Sequence, residues 1–260
     1  MAHAGCGPVA EACQIDEGDY HIELPKISAG EELPVVMFLH GYGGSGSAAL
    51  RNRAMVDGLT DRGYAVIAPT ALPRSPGGPR SWAFLPAFGG RDESVFFDAV
   101  LEDAEDKFNI NRQDVVLSGF SAGAFMVSYL ACSHPEQFAA YATISGSFWR
   151  SQPDSCQGPV RLMHTHGWAD DVVPLEGRYL SNRRFQQGDI FAGLELWRDT
   201  NSCTTHAPNR SWSEDNQLRR RWECGPGADI EFVLFSGGHR VPQEWANWVA
   251  DWFEESPLSQ

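Results

Sequence analysis

The stretch Val115-Val116-Leu117-Ser118-Gly119-Phe120-Ser121-Ala122-Gly123 is an apolar run that leads directly into a helix-like segment, residues 124–130. This order predicts a buried strand, a sharp turn and a helix, with Ser121 at the turn. Glycines flanking such a turn keep side chains away from it, so the hydroxyl of Ser121 is lifted above the sheet edge. Because Ser121 lies at the start of the helix, the helix dipole favours negative charge that develops beside it. The stretch therefore predicts an α/β fold that presents a nucleophilic serine.

Short apolar runs and helical stretches alternate along the rest of the chain. Predicted strands are 20–25 (an edge strand), 35–39, 65–68, 115–117, 141–144, 161–165 and 230–235. Predicted helices are 45–59, 93–108, 122–133, 177–186, 190–200 and 242–253. Such alternation predicts a mostly parallel, doubly wound sheet with helices on both faces. No linker interrupts it, so we expect one domain over 1–260, with 1–17 as an N-terminal extension.

Two long segments match neither pattern and are expected to be loops. Segment 71–92 contains four prolines and four glycines, and segment 201–228 is rich in Arg, Trp, Asn and Ser. Long loops in a compact domain are usually functional or disordered. The aromatic side chains Trp82, Phe84 and Phe88 lie in the first segment, and we expect it to shape a pocket in which Trp82 contacts substrate.

Composition excludes several classes of protein. The 260 residues are 42% hydrophobic, which is enough for a substantial core. The formal net charge of −14 argues against nucleic acid, which is bound by clustered Lys and Arg. No apolar run approaches the ~20 residues of a membrane span. We therefore expect neither nucleic acid nor a membrane span, and the oligomeric state stays open.

Six cysteines form three local pairs: Cys6 with Cys13, Cys132 with Cys156, and Cys203 with Cys224. None has the C-x-x-C spacing of zinc or redox sites. We expect three disulfides and therefore a secreted or periplasmic protein, although six buried thiols in a cytosolic protein are the alternative. The chain begins without a basic, apolar leader, and its first three residues are compatible with a leader that has been replaced.

A serine nucleophile needs a base and an acid that orients the base. His239 follows the predicted strand 230–235 within the small residues Ser236-Gly237-Gly238, which leave room for its ring to reach Ser121. Asp170 follows the predicted strand 161–165, and Asp171 is the alternative acid. The carboxyl ends of parallel strands meet at one edge of the sheet. We therefore predict a triad of Ser121, His239 and Asp170.

An oxyanion hole is predicted beside the serine. The loop His40-Gly41-Tyr42-Gly43-Gly44 follows the predicted strand 35–39, and its glycines allow close approach to a carbonyl oxygen. We assign the backbone amides of Tyr42 and Ala122 to this hole, and a structural role to His40. The loop matches neither phosphate-binding glycine pattern. Trp168, two residues before Asp170, is expected to line the substrate pocket.

His164 and His166 alternate on one predicted strand, so both could face one side as metal ligands. No third ligand is evident in the sequence, and packing with local hydrogen bonds is the favoured interpretation. We therefore expect neither a metal ion nor an organic cofactor.

Four motifs together resemble the polyhydroxybutyrate depolymerase-like and feruloyl esterase group of the α/β-hydrolase superfamily. They are His40-Gly-Tyr-Gly-Gly44, Gly119-Phe-Ser-Ala-Gly123, His166-Gly-Trp-Ala-Asp-Asp-Val-Val-Pro174 and Gly237-Gly-His239. The resemblance covers about residues 18 to 253 and aligns Asp170 with the acid of that group. It implies an α/β-hydrolase fold, secretion, and hydrolysis of carboxylic esters such as hydroxyalkanoate oligomers or feruloylated sugars.

The sequence departs from some members of that group at two positions. Those members bridge a cysteine beside the nucleophile to one beside the catalytic histidine, where this chain has Phe120 and Gly238. We expect a serine esterase that forms an acyl-enzyme and acts on soluble oligomers or small esters. A peptidase on the same scaffold, or a non-catalytic protein that binds a sugar or lipid, are the alternatives.

Overall fold

A computed structural model describes residues 6, 11–26, 30, 32–181 and 183–255. Most of its strands belong to one ten-stranded sheet, and three short ones form a separate small sheet. The strands are β1 Cys13–Ile15, β2 Gly18–Glu23, β3 Leu33–Leu39, β4 Ala65–Pro69, β5 Ile110–Phe120, β6 Ala140–Ile144, β7 Trp149–Arg150, β8 Arg161–Gly167, β9 Tyr179–Leu180, β10 Phe185–Gln187, β11 Arg210–Glu214, β12 Gln217–Glu223 and β13 Asp229–Phe235.

The large sheet has the order β1-β2-β4-β3-β5-β6-β8-β13-β12-β11. Its six central strands, from β4 to β13, are parallel, and the two outer pairs are antiparallel. The strand order reverses beside β3, so the chain winds outward in both directions from the centre of the sheet. The predicted mostly parallel, doubly wound sheet is confirmed.

Helices cover both faces of this sheet. They are α1 Gly46–Leu50, α2 Arg53–Thr60, α3 Glu93–Phe108, α4 Ala122–Ser133, α5 Ile190–Thr200 and α6 Trp245–Glu254. One core packs against α3, α4 and α5, and the other packs against α1, α2 and α6. Alternate residues of β3 enter opposite cores, Val35 and Met37 on one side and Val36 and Phe38 on the other. This explains why the central strands are continuous apolar runs.

Two predictions about the periphery are wrong. The described residues of 177–186, all but 182, form no helix, because Phe185–Gln187 pairs as a strand with Tyr179–Leu180 on one side and with Trp149–Arg150 on the other. Ser181 and Arg183 take positive φ in the turn between them, which a helix does not allow. The predicted helix 45–59 is also interrupted at Arg51 and Asn52, and gives α1 and α2.

The extension and the second long loop also contain strands. β1 lies within 1–17 and makes β2 the second strand from the edge. Segment 201–228 holds the hairpin of β11 and β12, which turns at Asp215 with φ 48°. By contrast, segment 71–92 is irregular except for a 3₁₀ turn at Pro86–Phe88 and a bridge between Pro73 and Arg80.

All three predicted disulfides are present, joining Cys6 to Cys13, Cys132 to Cys156 and Cys203 to Cys224. The first joins β1 to the chain that precedes it. The second ties the end of α4 to the segment before β8. The third closes the base of the β11–β12 hairpin.

Candidate active site

Ser121 lies in a strained turn between β5 and α4. Its φ of 55° and ψ of −115° are unusual for a residue with a side chain, and such strain is common at functional positions. The turn is held by a hydrogen bond from Ser121 N to Ile144 O of 2.9 Å. A Cβ added at Gly119 would lie 2.5 Å from the carbonyl carbon of Gly123, and one at Gly123 would lie 2.1 Å from Leu39 O. The turn therefore requires both glycines.

The loops after β8 and β13 carry Asp170 and His239 and are joined by backbone hydrogen bonds. Trp168 N donates to Phe235 O at 2.9 Å, and Ala169 N donates to Gly237 O at 2.8 Å. Since β8 and β13 are parallel neighbours, both loops leave the same edge of the sheet. This pairing brings Asp170 Oδ2 to 2.8 Å from His239 Nδ1.

Asp170 is held as a carboxylate. Its side chain is fully buried, and its Oδ1 accepts hydrogen bonds from Val172 N at 3.0 Å and Val173 N at 2.8 Å. Burial alone would raise the pKa of Asp170, but the bonds from His239 and Val173 and the nearby Ser145 hydroxyl lower it to about 2. Ser145 Oγ itself has no well-formed hydrogen bond. Asp171 is exposed, so the geometry favours Asp170 over its neighbour as the partner of His239.

His239 lies beside the serine turn. Its ring packs against Phe120, the residue before Ser121, with centroids 4.6 Å apart. In the described chain, His239 Nε2 and the Ser121 hydroxyl make no hydrogen bond to each other or to any other group. Contacts between a nucleophile and its base are often long before substrate binds. Both groups are thus free to engage a ligand.

The loop 40–44 packs against the serine turn. A Cβ added at Gly41 would lie 3.5 Å from Ser121 Cβ. Within the described residues, the amides of Tyr42 and Ala122 donate to no protein acceptor. Ala122 is also the first residue of α4, where the helix dipole is positive. These two unpaired amides fit the predicted oxyanion hole.

His40 shapes this loop as a neutral side chain. Burial lowers its pKa to about 4, with a smaller lowering from the nearby Arg80 cation. Ala71 N donates to His40 Nε2 at 3.1 Å, so the ring proton is on Nδ1 and is donated to Gly41 O at 2.7 Å. The structural role predicted for His40 agrees with this geometry.

The two tryptophans assigned to substrate binding lie in different environments. Trp82 is fully buried, packs against His40 and Phe97, and donates from Nε1 to His40 O at 2.8 Å. It has no surface left for a substrate, so its predicted contact role is corrected to support of His40. Trp168 is 69% exposed beside the Asp170 loop, where it can meet a ligand.

A buried hydrogen-bond chain lies behind Asp170 and confirms the favoured interpretation of His164 and His166 as hydrogen-bonding residues, while the sequence does not indicate their partners. Thr143 Oγ1 lies 2.7 Å from His164 Nδ1, His164 Nε2 lies 3.1 Å from His166 Nδ1, and His166 Nε2 lies 2.8 Å from Val173 O. Burial lowers the pKa of both histidines, so they are neutral. Val173 O can only accept, which fixes the direction of donation from Thr143 towards the Asp170 loop. The alternation of His164 and His166 was the available signal.

Metal binding was the other interpretation of these histidines. Across the residues that the structure describes, no group of three or more His, Cys, Asp or Glu could hold a metal ion.

Comparison with known proteins decides the family. A family model described as the alpha/beta hydrolase fold matches residues 34–187, more than half of the chain. The chain belongs to this family. The matched span of this α/β hydrolase begins in β3 and includes Ser121 and Asp170.

Curated relatives of the hydrolase are esterases. It is 25% identical over 231 residues to a probable feruloyl esterase C of Aspergillus terreus, covering 86% of this chain and 77% of that protein. It is 25% identical over 255 residues to the bifunctional acetylxylan esterase/xylanase XynS20E of Neocallimastix patriciarum, covering 93% of this chain but 34% of that protein. Together the relatives identify the chain as a carboxylic ester hydrolase.

A solved structure confirms the fold over nearly the whole hydrolase. An acetyl xylan esterase from Aspergillus awamori superposes with a TM-score of 0.68 at 17% identity, covering 94% of this chain and 98% of that one. In the described ranges of the hydrolase, no helix has the length and apolar character needed to cross a membrane.

Proposed function

We propose that the chain is a secreted serine esterase with Ser121, His239 and Asp170 as its triad. The observation that carries the proposal is the bond of 2.8 Å between His239 and the buried Asp170, formed beside a strained serine turn. The bond leaves His239 Nε2 as the free base that takes the Ser121 proton. Asp170 stabilises the imidazolium that results. Three disulfides support secretion.

The reaction follows from these positions. Ser121 Oγ attacks the ester carbonyl, and the amides of Ala122 and Tyr42 donate to the oxyanion of the tetrahedral intermediate. His239 gives the proton to the leaving alcohol, which leaves an acyl-enzyme. Water, which gives a proton to His239, then attacks the acyl carbonyl. The second tetrahedral intermediate collapses, the carboxylic acid leaves, and His239 returns the proton to Ser121 Oγ. None of these proposed steps requires a cofactor.

The substrates proposed are small or oligomeric carboxylic esters. Feruloyl and acetyl esters of saccharides come first, because relatives are named feruloyl esterase and acetylxylan esterase. Short hydroxyalkanoate oligomers come second, from the motif resemblance alone. Rates on methyl ferulate, acetylated xylooligosaccharides and hydroxybutyrate trimers would rank them, and a preference for the trimers would reverse the order.

The mechanism is tested with Ser121→Ala and a matched control, Ser133→Ala, at the exposed far end of the same helix. On p-nitrophenyl acetate and butyrate, Ser121→Ala should lose at least about 10³-fold in kcat, since serine hydrolases lose that much or more without their nucleophile. Ser133→Ala should keep wild-type kcat. A fluorophosphonate probe should label wild type and Ser133→Ala only. Turnover retained by Ser121→Ala would reject the triad, and wild type that cleaves anilides but no ester would favour a peptidase.

A further inference from the structure

Three segments near the candidate active site carry six arginines, which we call the cationic rim: Arg74, Arg80, Arg150, Arg178, Arg183 and Arg184. They come from three segments, 72–82, 149–153 and 178–188, which contain no Asp or Glu. The chain as a whole has a net charge of −14. The rim segments are therefore locally positive on an acidic protein, with the exposed Asp154 and Glu176 at their borders.

The small sheet of β7, β10 and β9 brings part of the rim together. Arg150 lies opposite Gln186, which lies opposite Tyr179 on the next strand. Residues opposite each other in antiparallel strands have side chains on one face. The guanidinium of Arg183 lies 5.3 Å from the ring centre of Tyr179, which is 55% exposed. Arg150, Tyr179 and Arg183 thus share one face.

Aromatic rings in edge-to-face contact connect this sheet to segment 72–82. The Arg184 guanidinium lies 5.3 Å from the centre of the Phe185 ring, and that of Arg74 lies 4.2 Å from the centre of the Phe88 ring. The two rings contact each other with centroids 5.7 Å apart. Arg74 and Arg184 are therefore linked through these two rings.

Two sets of contacts connect the segments of the rim to the surroundings of Ser121. Arg80 O accepts a hydrogen bond of 2.8 Å from Gly43 N, in the loop assigned to the oxyanion hole. Trp149, next to Arg150, packs against Phe125 with ring centroids 5.8 Å apart, and Phe125 N donates to Ser121 O at 3.1 Å. These contacts connect two of the three rim segments to the oxyanion loop and to the helix that begins after Ser121.

The charges of the rim are available to a ligand. Through the whole described chain, none of the six guanidinium groups makes an ion pair or a hydrogen bond to a protein group, and five of the side chains are exposed, Arg74 being half-buried. Elsewhere Arg53, Arg62, Arg91 and Arg161 pair with carboxylates. Among the described residues, Arg210 and Arg220 of the hairpin make no ion pair either, which makes them a suitable control. An unpaired cluster of one sign attracts and orients ligands of opposite charge.

We propose that the cationic rim binds the carboxylates of an acidic oligosaccharide, one containing uronic acid residues, and so presents its ester to Ser121. This rests on the proposed esterase function. A saccharide fits better than a membrane, because an acidic lipid surface would repel the remaining charge of the protein, whereas a short soluble chain meets the rim alone. The rings of Tyr179, Phe88 and Phe185 lie between the cations and can stack on sugar faces.

The test measures binding of an unesterified hexamer of galacturonic acid, with neutral xylohexaose as the uncharged ligand. The rim variant is Arg183→Gln with Arg184→Gln, and Arg183→Lys with Arg184→Lys restores the charge. The control, Arg210→Gln with Arg220→Gln, removes the same charge from the β11–β12 hairpin. Circular dichroism and thermal unfolding report whether each variant folds, and wild-type turnover of p-nitrophenyl acetate tests the esterase function separately.

At low salt, the Gln rim variant should bind the acidic hexamer on the order of tenfold more weakly than wild type, because two exposed positive charges are removed. The Lys rim variant and the hairpin control should stay within about threefold, and raising salt should weaken wild-type binding. Equal losses in the rim and hairpin variants, or no preference for the acidic over the neutral hexamer, would overturn the proposal. So would phosphatidylserine vesicles that bind more tightly than the hexamer through Arg183 and Arg184.

Discussion

The two long segments that look alike in sequence behave differently in the structure. Segment 71–92 stays irregular, yet it buries Trp82 completely and Phe84 almost completely, and it holds the loop 40–44. Segment 201–228 forms a regular hairpin, yet most of its residues are exposed and it extends the sheet away from Ser121. Regular secondary structure is therefore a poor guide to which segment supports the site.

The two segments differ in the contacts that they make with the rest of the protein. Segment 71–92 supplies hydrogen bonds to both ends of His40, from Ala71 N to Nε2 and from Trp82 Nε1 to the backbone oxygen. Segment 201–228 is held by strand pairing, by the Arg219–Glu231 ion pair and by the Cys203–Cys224 disulfide. Changes in the first segment should reach the oxyanion loop, and changes in the second should not.

The largest effect expected is that of Trp82→Ala. Removing a fully buried tryptophan costs about 3–5 kcal/mol of unfolding free energy, through the cavity it leaves. It also removes the donor to His40 O, so kcat/KM on p-nitrophenyl acetate should fall by up to about 10²-fold, as for a small misplacement of catalytic groups. Urea unfolding and steady-state kinetics measure the two effects.

The matched control is Trp212→Ala in the hairpin. Trp212 is half-buried and contacts the guanidinium groups of Arg210 and Arg219. The substitution Trp212→Ala should lower the unfolding free energy by about 1 kcal/mol, in the range of a cation–π contact at a partly exposed site. It should leave kcat/KM unchanged. A larger catalytic loss in Trp212→Ala than in Trp82→Ala would reverse the comparison.

Removing the Cys203–Cys224 disulfide should have the next largest effect. With 21 residues of separation, loop-closure entropy gives a loss of about 3 kcal/mol for the double substitution to alanine. Because the hairpin carries none of the triad, kcat/KM should stay within about twofold of wild type. A tenfold fall would show that the hairpin positions the His239 loop, in which Ser236 N donates to Asn216 O at 2.8 Å, and would remove the distinction between the two segments.

The sequence predicts correctly those helices whose apolar residues all pack into the same core. The bounds of α3, α4 and α5 agree with the predicted 93–108, 122–133 and 190–200, since their apolar faces enter one core. Likewise Ser121, Asp170 and His239 can be selected from the sequence because each comes shortly after a buried strand. Motif and strand end coincide at all three.

The errors fall where long-range contacts decide the structure. Residues 177–186 contain helix-compatible residues such as Arg178, Leu180 and Arg183, but Tyr179–Leu180 and Phe185–Gln187 pair with each other as strands, and the second also pairs with Trp149–Arg150. In β12, Arg219 is buried whereas its neighbours Leu218 and Arg220 are exposed. A charged residue thus faces the interior where an apolar one is expected, and the strand has no apolar alternation to detect. Its buried charge is paired with Glu231 on β13, twelve residues later. Only the turn residues Asp215-Asn216 signalled the hairpin.

The smallest effect expected is on acid stability, and it again separates the two segments. His40 has a pKa lowered to about 4 by burial, against 6.5 when unfolded. Between these values the unfolded chain binds a proton that the folded chain does not, so unfolding free energy falls as pH falls. The loss of unfolding free energy from pH 7.5 to 5 should be about 2 kcal/mol.

In His40→Gln this part of the pH dependence should vanish when unfolding free energy is measured by urea titration at both pH values. His206→Gln, at an exposed position of segment 201–228, is the matched control, and an equal flattening there would show that burial beside segment 71–92 is not the cause.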